Sequence, residues 1–198
     1  MTTVGLVLAA GAGRRMGGPK ALVRLTEDGP TLVETAVARV IEGGCDSAVV
    51  VVGAAGDAAA ALVRGTGAEV VHATDWDEGM GASLRAGLAH LEASDADLAL
   101  VTLVDLPDVT VEVVHRVLAA ALGDGPVALA RATYSGVPGH PVAIGREHWA
   151  AVRRTARGDQ GARDHLRATL HVLVECGDLA TGRDLDTSDD LDDLRRGC

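Results

Sequence analysis

The stretch Leu6–Val23, LVLAAGAGRRMGGPKALV, decides how the rest of this chain is read. Its first part belongs to an apolar run, Val4–Ala10, rich in Val, Leu and Ala, the composition of a strand buried on both faces of a sheet. The run opens directly into a loop that holds Gly11, Gly13, Gly17 and Gly18 beside Arg14, Arg15 and Lys20. Glycines let bare backbone amides approach a ligand, and cations among them complete a cradle for phosphate. Taken alone, such a loop is as readily an ordinary strand-to-helix turn with solvated arginines. Three clustered cations in an acidic protein favour the phosphate. Two common phosphate loops are excluded. A Walker A loop needs Gly-Lys followed by Ser or Thr, but Pro19 separates Gly18 from Lys20 and Ala21 follows. A dinucleotide fingerprint needs a third glycine where this chain has Met16.

Outward from this stretch, further short apolar runs at Ala48–Val52, Ala68–His72, Leu98–Leu103 and Val127–Ala130 read as buried strands. Segments with one apolar face at helical spacing lie between them, at Leu32–Ile41, Asp57–Val63, Ser83–Leu91 and Val111–Leu122. Strand and helix alternate, which predicts a mostly parallel α/β sheet. After Ala130 the rhythm breaks. Gly136, Pro138, Gly139 and Pro141 crowd a stretch expected to be a loop rather than a central strand. A short strand near Val142–Ile144, helices near Arg146–Arg157 and Gly161–Leu166, a strand at Leu170–Val174 and a helix after Ser188 complete the expectation.

The 198 residues are 47% hydrophobic, enough to bury one core, so a single domain over residues 1–198 is expected. The net charge of −10 repels polyanions, and with no Phe, one Tyr and two Trp there is little on which to stack single strands, so nucleic acid is a poor partner. Cys45, Cys176 and Cys198 have no metal spacing and read as thiols of a reducing compartment. Without an apolar run of membrane length or a convincing signal peptide, a cytoplasmic location away from membranes is expected.

Asp105 gives a second chemical signal. It lies directly beyond the apolar strand Leu98–Leu103, where a carboxylate faces the ligand crevice of a parallel sheet. Asp-x-Pro also opens ordinary turns, so the residue gains its meaning from the company of the glycine loop. Gly79, Gly81 and Ser83 in EGMGASL could let backbone groups and one hydroxyl approach a nucleobase. Trp76 just before them reads as a partial lid on the core.

LAAG followed by Arg15, Met16, Gly17 and Lys20 resembles the opening of the molybdenum cofactor nucleotidyltransferase family. The likeness continues through EGMGASLRAGL (78–88), LVDLPDV (103–109), GVPGHPV (136–142), GDQGARDHL (158–166) and DLDTSDDL (184–191). Gly13 departs from it, standing where many relatives carry Ser, so that only the amide remains for phosphate. The resemblance implies a three-layer α/β/α sandwich, Rossmann-like and akin to the nucleotide-diphospho-sugar transferases. It implies nucleotide contacts at Leu8, Ala9, Ala10, Gly11, Gly13, Arg14, Arg15 and Lys20, with Gly79, Gly81 and Ser83 added from the reading above. It also implies Mg²⁺ held by Asp105 and Asp186, and acceptor contacts at Pro138, Gly139, His140, Asp159 and Gly161.

On that scheme an acceptor phosphate attacks the α-phosphorus of a nucleoside triphosphate, and pyrophosphate departs. A phosphate monoester is largely a dianion near neutrality, so no catalytic histidine is required. Lys20, Arg15 and metal-bearing Asp105 neutralise the repulsion between the two anions. The PGHP and GDQGAR stretches point to a molybdopterin acceptor. Ala10, where users of GTP tend to carry glycine, points to CTP. Transient contact with an apo molybdoenzyme or its chaperone would be expected as well. The alternatives are a guanylyltransferase, a transferase for another phosphorylated acceptor, and a nucleotide-binding regulatory or chaperone-like module without turnover.

Overall fold

The computed structural model describes residues 1–197, so Cys198 lies outside the described residues. Seven strands form one sheet, β1 (Thr3–Ala9), β2 (Ser47–Val52), β3 (Glu69–His72), β4 (Leu98–Leu103), β5 (Leu129–Tyr134), β6 (Val137–Gly145) and β7 (Val172–Glu175), in the order β3-β2-β1-β4-β6-β5-β7. All neighbouring pairs are parallel except β6, which runs antiparallel to β4 and to β5. Every residue of β1 is buried, as its continuous apolar run requires.

The helices are α1 (Leu32–Glu42), α2 (Gly56–Val63), α3 (Met80–Glu92), α4 (Val111–Leu122), α5 (Arg146–Thr155), α6 (Arg163–Ala168) and α7 (Ser188–Gly197). Alternate residues of β1 feed two cores. Val7 and Ala9 pack with apolar residues of α1, α2 and α4 on one face, while Val4, Leu6 and Leu8 pack with those of α3, α5 and α6 on the other. This is the expected three-layer sandwich. α1 begins at a capping box in which Thr31 Oγ1 accepts from the Glu34 amide while the Glu34 carboxylate takes the Thr31 N–H.

The segment around the PGHP stretch is a strand, not the expected loop. β5 and β6 form a hairpin through Ser135-Gly136, and β6 runs without interruption from Val137 to Gly145. Two features make the prolines tolerable there. β4 pairs only with Val142–Gly145, so Pro138 and Pro141 have β5 as their one neighbouring strand. Between the pairs Thr133↔Pro138 and Arg131↔Val142, moreover, Gly139, His140 and Pro141 lie opposite Ala132 alone, a bulge that removes the need for a regular ladder. Smaller corrections share one cause, the local turn chemistry. Val127 belongs to a tight 3-10 turn with Pro126, so β5 starts two residues later than expected. α6 starts at Arg163 because Gly161 is left-handed, and Leu170 is almost fully exposed outside β7. No helix of the described residues is long and apolar enough to cross a membrane.

Candidate active site

The carboxyl ends of β1 and β4 are adjacent and parallel, and the segments they lead into form the site. After β1, Gly13 adopts φ 57° and ψ 37°, and its carbonyl accepts from the amides of Met16 and Gly18. A Cβ on Gly13 would stand 1.9 Å from the Gly18 oxygen, so a serine here is incompatible with this loop geometry. The departure from the family pattern is therefore tied to the way the loop closes. Gly11, Gly17, Arg14 and Arg15 remain exposed along it.

Beyond the loop, Ala21 is buried and anchors a 3-10 turn from which Lys20 projects. Its Nζ donates to Asp105 Oδ2 and to Asp186 Oδ1, each at 2.8 Å, and Arg15 lies 3.6 Å from the other Asp186 oxygen. Asp186 is distant in sequence, and Leu185 is the residue that delivers it. Leu185 is buried in the core, and its amide donates to the Asp105 carbonyl at 2.9 Å. The chain turns into α7 immediately afterwards, with Thr187 and Asp190 capping each other reciprocally. Burial alone would lower the Lys20 pKa, but Asp105 and Asp186 outweigh it and hold the ammonium above its usual range. The hydrogen bond from Lys20, with the charges of Lys20 and Arg15, keeps Asp186 below the usual carboxylate range.

The structure thus brings Arg15, Lys20, Asp105 and Asp186 together. It distributes the other expected residues differently. Leu8, Ala9 and Ala10 are each buried, and the Ala10 carbonyl is taken by the Ala54 amide, so the Ala10 methyl does not project into open space. α3 begins at Met80, so Ser83 lies inside its first turn, buried, and does not cap it. A Cβ on Gly79 would meet Asp159 Oδ1 and the Gly158 backbone at 2.7 Å, and one on Gly81 would meet the Arg157 amide at 2.8 Å. The small size of these glycines serves close packing of the 156–159 segment against the start of α3. Arg85, which no sequence pattern singles out, locks this corner by donating to Asp75, Glu78 and the Ala156 carbonyl.

Among the expected acceptor residues, Pro138 and Asp159 are exposed. Gly139 packs on the Tyr134 ring, and the Tyr134 hydroxyl donates to the His140 carbonyl at 2.6 Å. His140 and Gly161 line one cavity with Arg131 and Arg163. Burial, with Arg131 and Arg163 nearby, pushes His140 down to about 4, so the imidazole is neutral at neutral pH. Arg131 is also absent from the residues expected from sequence, although a lone cation inside the apolar run of β5 is a signal that could have found it.

Residues 5–173 match the MobA-like NTP transferase domain, more than half of the chain. The chain belongs to this family. Relatives include the nicotine blue oxidoreductase of Paenarthrobacter nicotinovorans, 40% identical over 94% of this chain and 93% of that one. The molybdenum cofactor guanylyltransferase of Rhodobacter capsulatus is 32% identical over 76% of this chain and 67% of its own length. Rv0371c of Mycobacterium tuberculosis H37Rv, solved as a manganese complex, superposes with a TM-score of 0.77 at 25% identity, covering 100% of both chains. As a MobA-like transferase, the chain has the nucleotide-diphospho-sugar transferase-like fold and is a nucleotidyltransferase, of a family that binds a nucleoside triphosphate and a phosphorylated acceptor and typically uses a divalent metal.

The donor set suits such an ion. Two carboxylates already converge on one cation, Lys20 Nζ, and Mg²⁺ or Mn²⁺ needs only one or two protein carboxylates when triphosphate oxygens and water complete its shell. Among the described residues no three His, Cys, Asp or Glu side chains cluster as a closed metal cage.

Proposed function

We propose that the chain transfers CMP from CTP to molybdopterin in the cytoplasm, releasing pyrophosphate and forming molybdopterin cytosine dinucleotide. The observation that carries the transfer is Lys20 held between Asp105 and Asp186 beside an exposed glycine loop. Asp105 and Asp186 would hold Mg²⁺, which supplies positive charge against the triphosphate. Lys20, drawn off the carboxylates, and Arg15 would then place their charges on the phosphates, and the amides of Gly11 and Gly13 would be available to the same anion. The protein aligns two anions and neutralises their repulsion, which needs no covalent intermediate.

Molybdopterin as the acceptor rests on the PGHP and GDQGAR stretches and on the relative named for the molybdenum cofactor. CTP rests on Ala10, and because that methyl is buried its influence would pass through the backbone of the loop rather than through direct contact with a purine. The test is pyrophosphate release with molybdopterin and each of CTP, GTP, ATP and UTP. Higher kcat/KM with GTP would make the chain a guanylyltransferase, and release only with another phosphorylated acceptor would change the substrate. No release with any pair would leave a nucleotide-binding module.

One observation favours a second reading, because the relative with 40% identity over nearly the whole chain is named an oxidoreductase. On that reading the site serves reduction of a dye-like substrate. Nicotine blue incubated with the protein and NADH or NADPH decides it. Loss of the blue colour that depends on both protein and nucleotide would establish this reading.

A further inference from the structure

The cavity that receives His140 lies on the α3 side of the sheet. Its wall is apolar, formed in part by Leu8, Leu84, Val101 and Ile144, while its polar side carries Arg131, His140 and Arg163. Leu8 and Val101 sit on β1 and β4, the strands whose carboxyl ends lead into the glycine loop and Asp105, so the cavity borders the site already described.

Arg131 and Arg163 both line this cavity, and among the described residues neither has a carboxylate partner there. Arg131 donates its Nε to the Gly139 carbonyl at 3.0 Å, which fixes the side chain, and among the described residues neither terminal amino group has an acceptor. Burial first, and then the like charge of Arg163, lower the Arg131 pKa, so Arg131 is a partly desolvated cation with a like charge nearby, an arrangement that an anion between the two would relieve.

We propose that Arg131 and Arg163 form a clamp for the phosphate monoester of the acceptor, whose organic body rests against the apolar edge of this cavity of about 40 Å³ rather than inside it. The planar fork of arginine suits bidentate binding of phosphate, and neutral His140 adds a hydrogen bond without further repulsion. The assignment to the acceptor rests on the transferase reading, whereas the anion chemistry of the cavity does not. The other source of a phosphate is the donor triphosphate, which the glycine loop and Lys20 would hold instead.

Calorimetry with phenyl phosphate as the probe separates these cases, with phenol and inorganic phosphate as its two halves. The wild-type protein should bind phenyl phosphate more tightly than either half. Arg163→Gln and Arg131→Gln should each weaken it by about 10- to 100-fold, the effect of losing charge-assisted hydrogen bonds. CTP affinity in the absence of acceptor should stay unchanged. Arg163 is exposed, so Arg163→Gln keeps the test open if loss of the Gly139 tether unfolds the Arg131 variant. Failure of the wild type to bind phenyl phosphate, equal binding by wild type and Arg163→Gln, or an equal loss of CTP affinity would each overturn the clamp. Arginine-dependent binding by a protein that releases no pyrophosphate with any triphosphate would uphold the clamp and remove the transferase reading.

Discussion

Replacing Lys20 by alanine separates two roles that one ammonium holds in this structure. Its Nζ lies 2.8 Å from Asp105 and 2.8 Å from Asp186, so the carboxylate oxygens it joins are no more than twice that distance apart. Hydrogen bonds to charged groups contribute about 1.5–3 kcal/mol each, and the Asp186 contact is discounted because that side chain is 46% exposed. Without the cation, two unit charges roughly 5 Å apart at an effective dielectric of about 20 repel by about 3 kcal/mol. Water and small movements relieve part of this, and a net loss of about 1–3 kcal/mol of stability is expected. The freed carboxylates should then bind a divalent cation directly. At a magnesium concentration about ten times its Kd the gain is about 1.4 kcal/mol, so magnesium should raise the midpoint of urea unfolding more in Lys20→Ala than in wild type. Catalysis should fall at the same time, with kcat reduced about 10²- to 10³-fold through loss of charge stabilisation in the transition state. Denaturation with and without magnesium, beside steady-state pyrophosphate release, reads both effects. A variant whose stability ignores magnesium, or whose only defect is a raised KM, would refute the view that Lys20 stands where two metal-binding carboxylates meet.

Asp105→Asn should abolish magnesium-dependent pyrophosphate release while leaving the circular dichroism of the fold intact; wild-type release at saturating magnesium would contradict the metal assignment. His140 should make stability fall on acidification. Its folded pKa of about 4 lies below the unfolded value of about 6.5, so the unfolded chain binds the extra proton first, and stability held above about pH 6.5 is lost as pH drops towards 4, by at most about 3 kcal/mol. Urea midpoints for wild type and His140→Asn should converge or cross over that interval, and parallel curves would speak against a neutral imidazole in the folded protein. Ala10→Gly should shift kcat/KM towards GTP by about 10-fold or less, since a single methyl discriminates by about 1–3 kcal/mol and this one acts indirectly; an unchanged ratio would remove Ala10 from donor choice.

The range of the forces involved separates the features that are legible in the chain from those that are not. β1 and its loop are legible because a fully buried parallel strand writes a continuous apolar run, and the loop's glycines and cations stand within a few residues of it. Asp105 is legible for the same reason, since parallel strands place their next residues at a common edge. Asp186 requires the family resemblance, because its position depends on Leu185, an ordinary apolar residue whose burial and hydrogen bond to Asp105 no local pattern announces. Gly79 and Gly81 carry the opposite difficulty. A glycine-rich helix start reads the same whether a ligand or the protein's own backbone approaches it, and here the 156–158 backbone comes within contact of the Cβ side of both glycines. The PGHP stretch reads as a loop by the sum of its proline and glycine penalties, which presumes a strand flanked on both sides. At Pro138 and Pro141 only one neighbouring strand is present, and the bulge opposite Ala132 absorbs the irregularity that remains. That bulge places His140 in one cavity with Arg131 and Arg163, a grouping that no run of adjacent residues encodes.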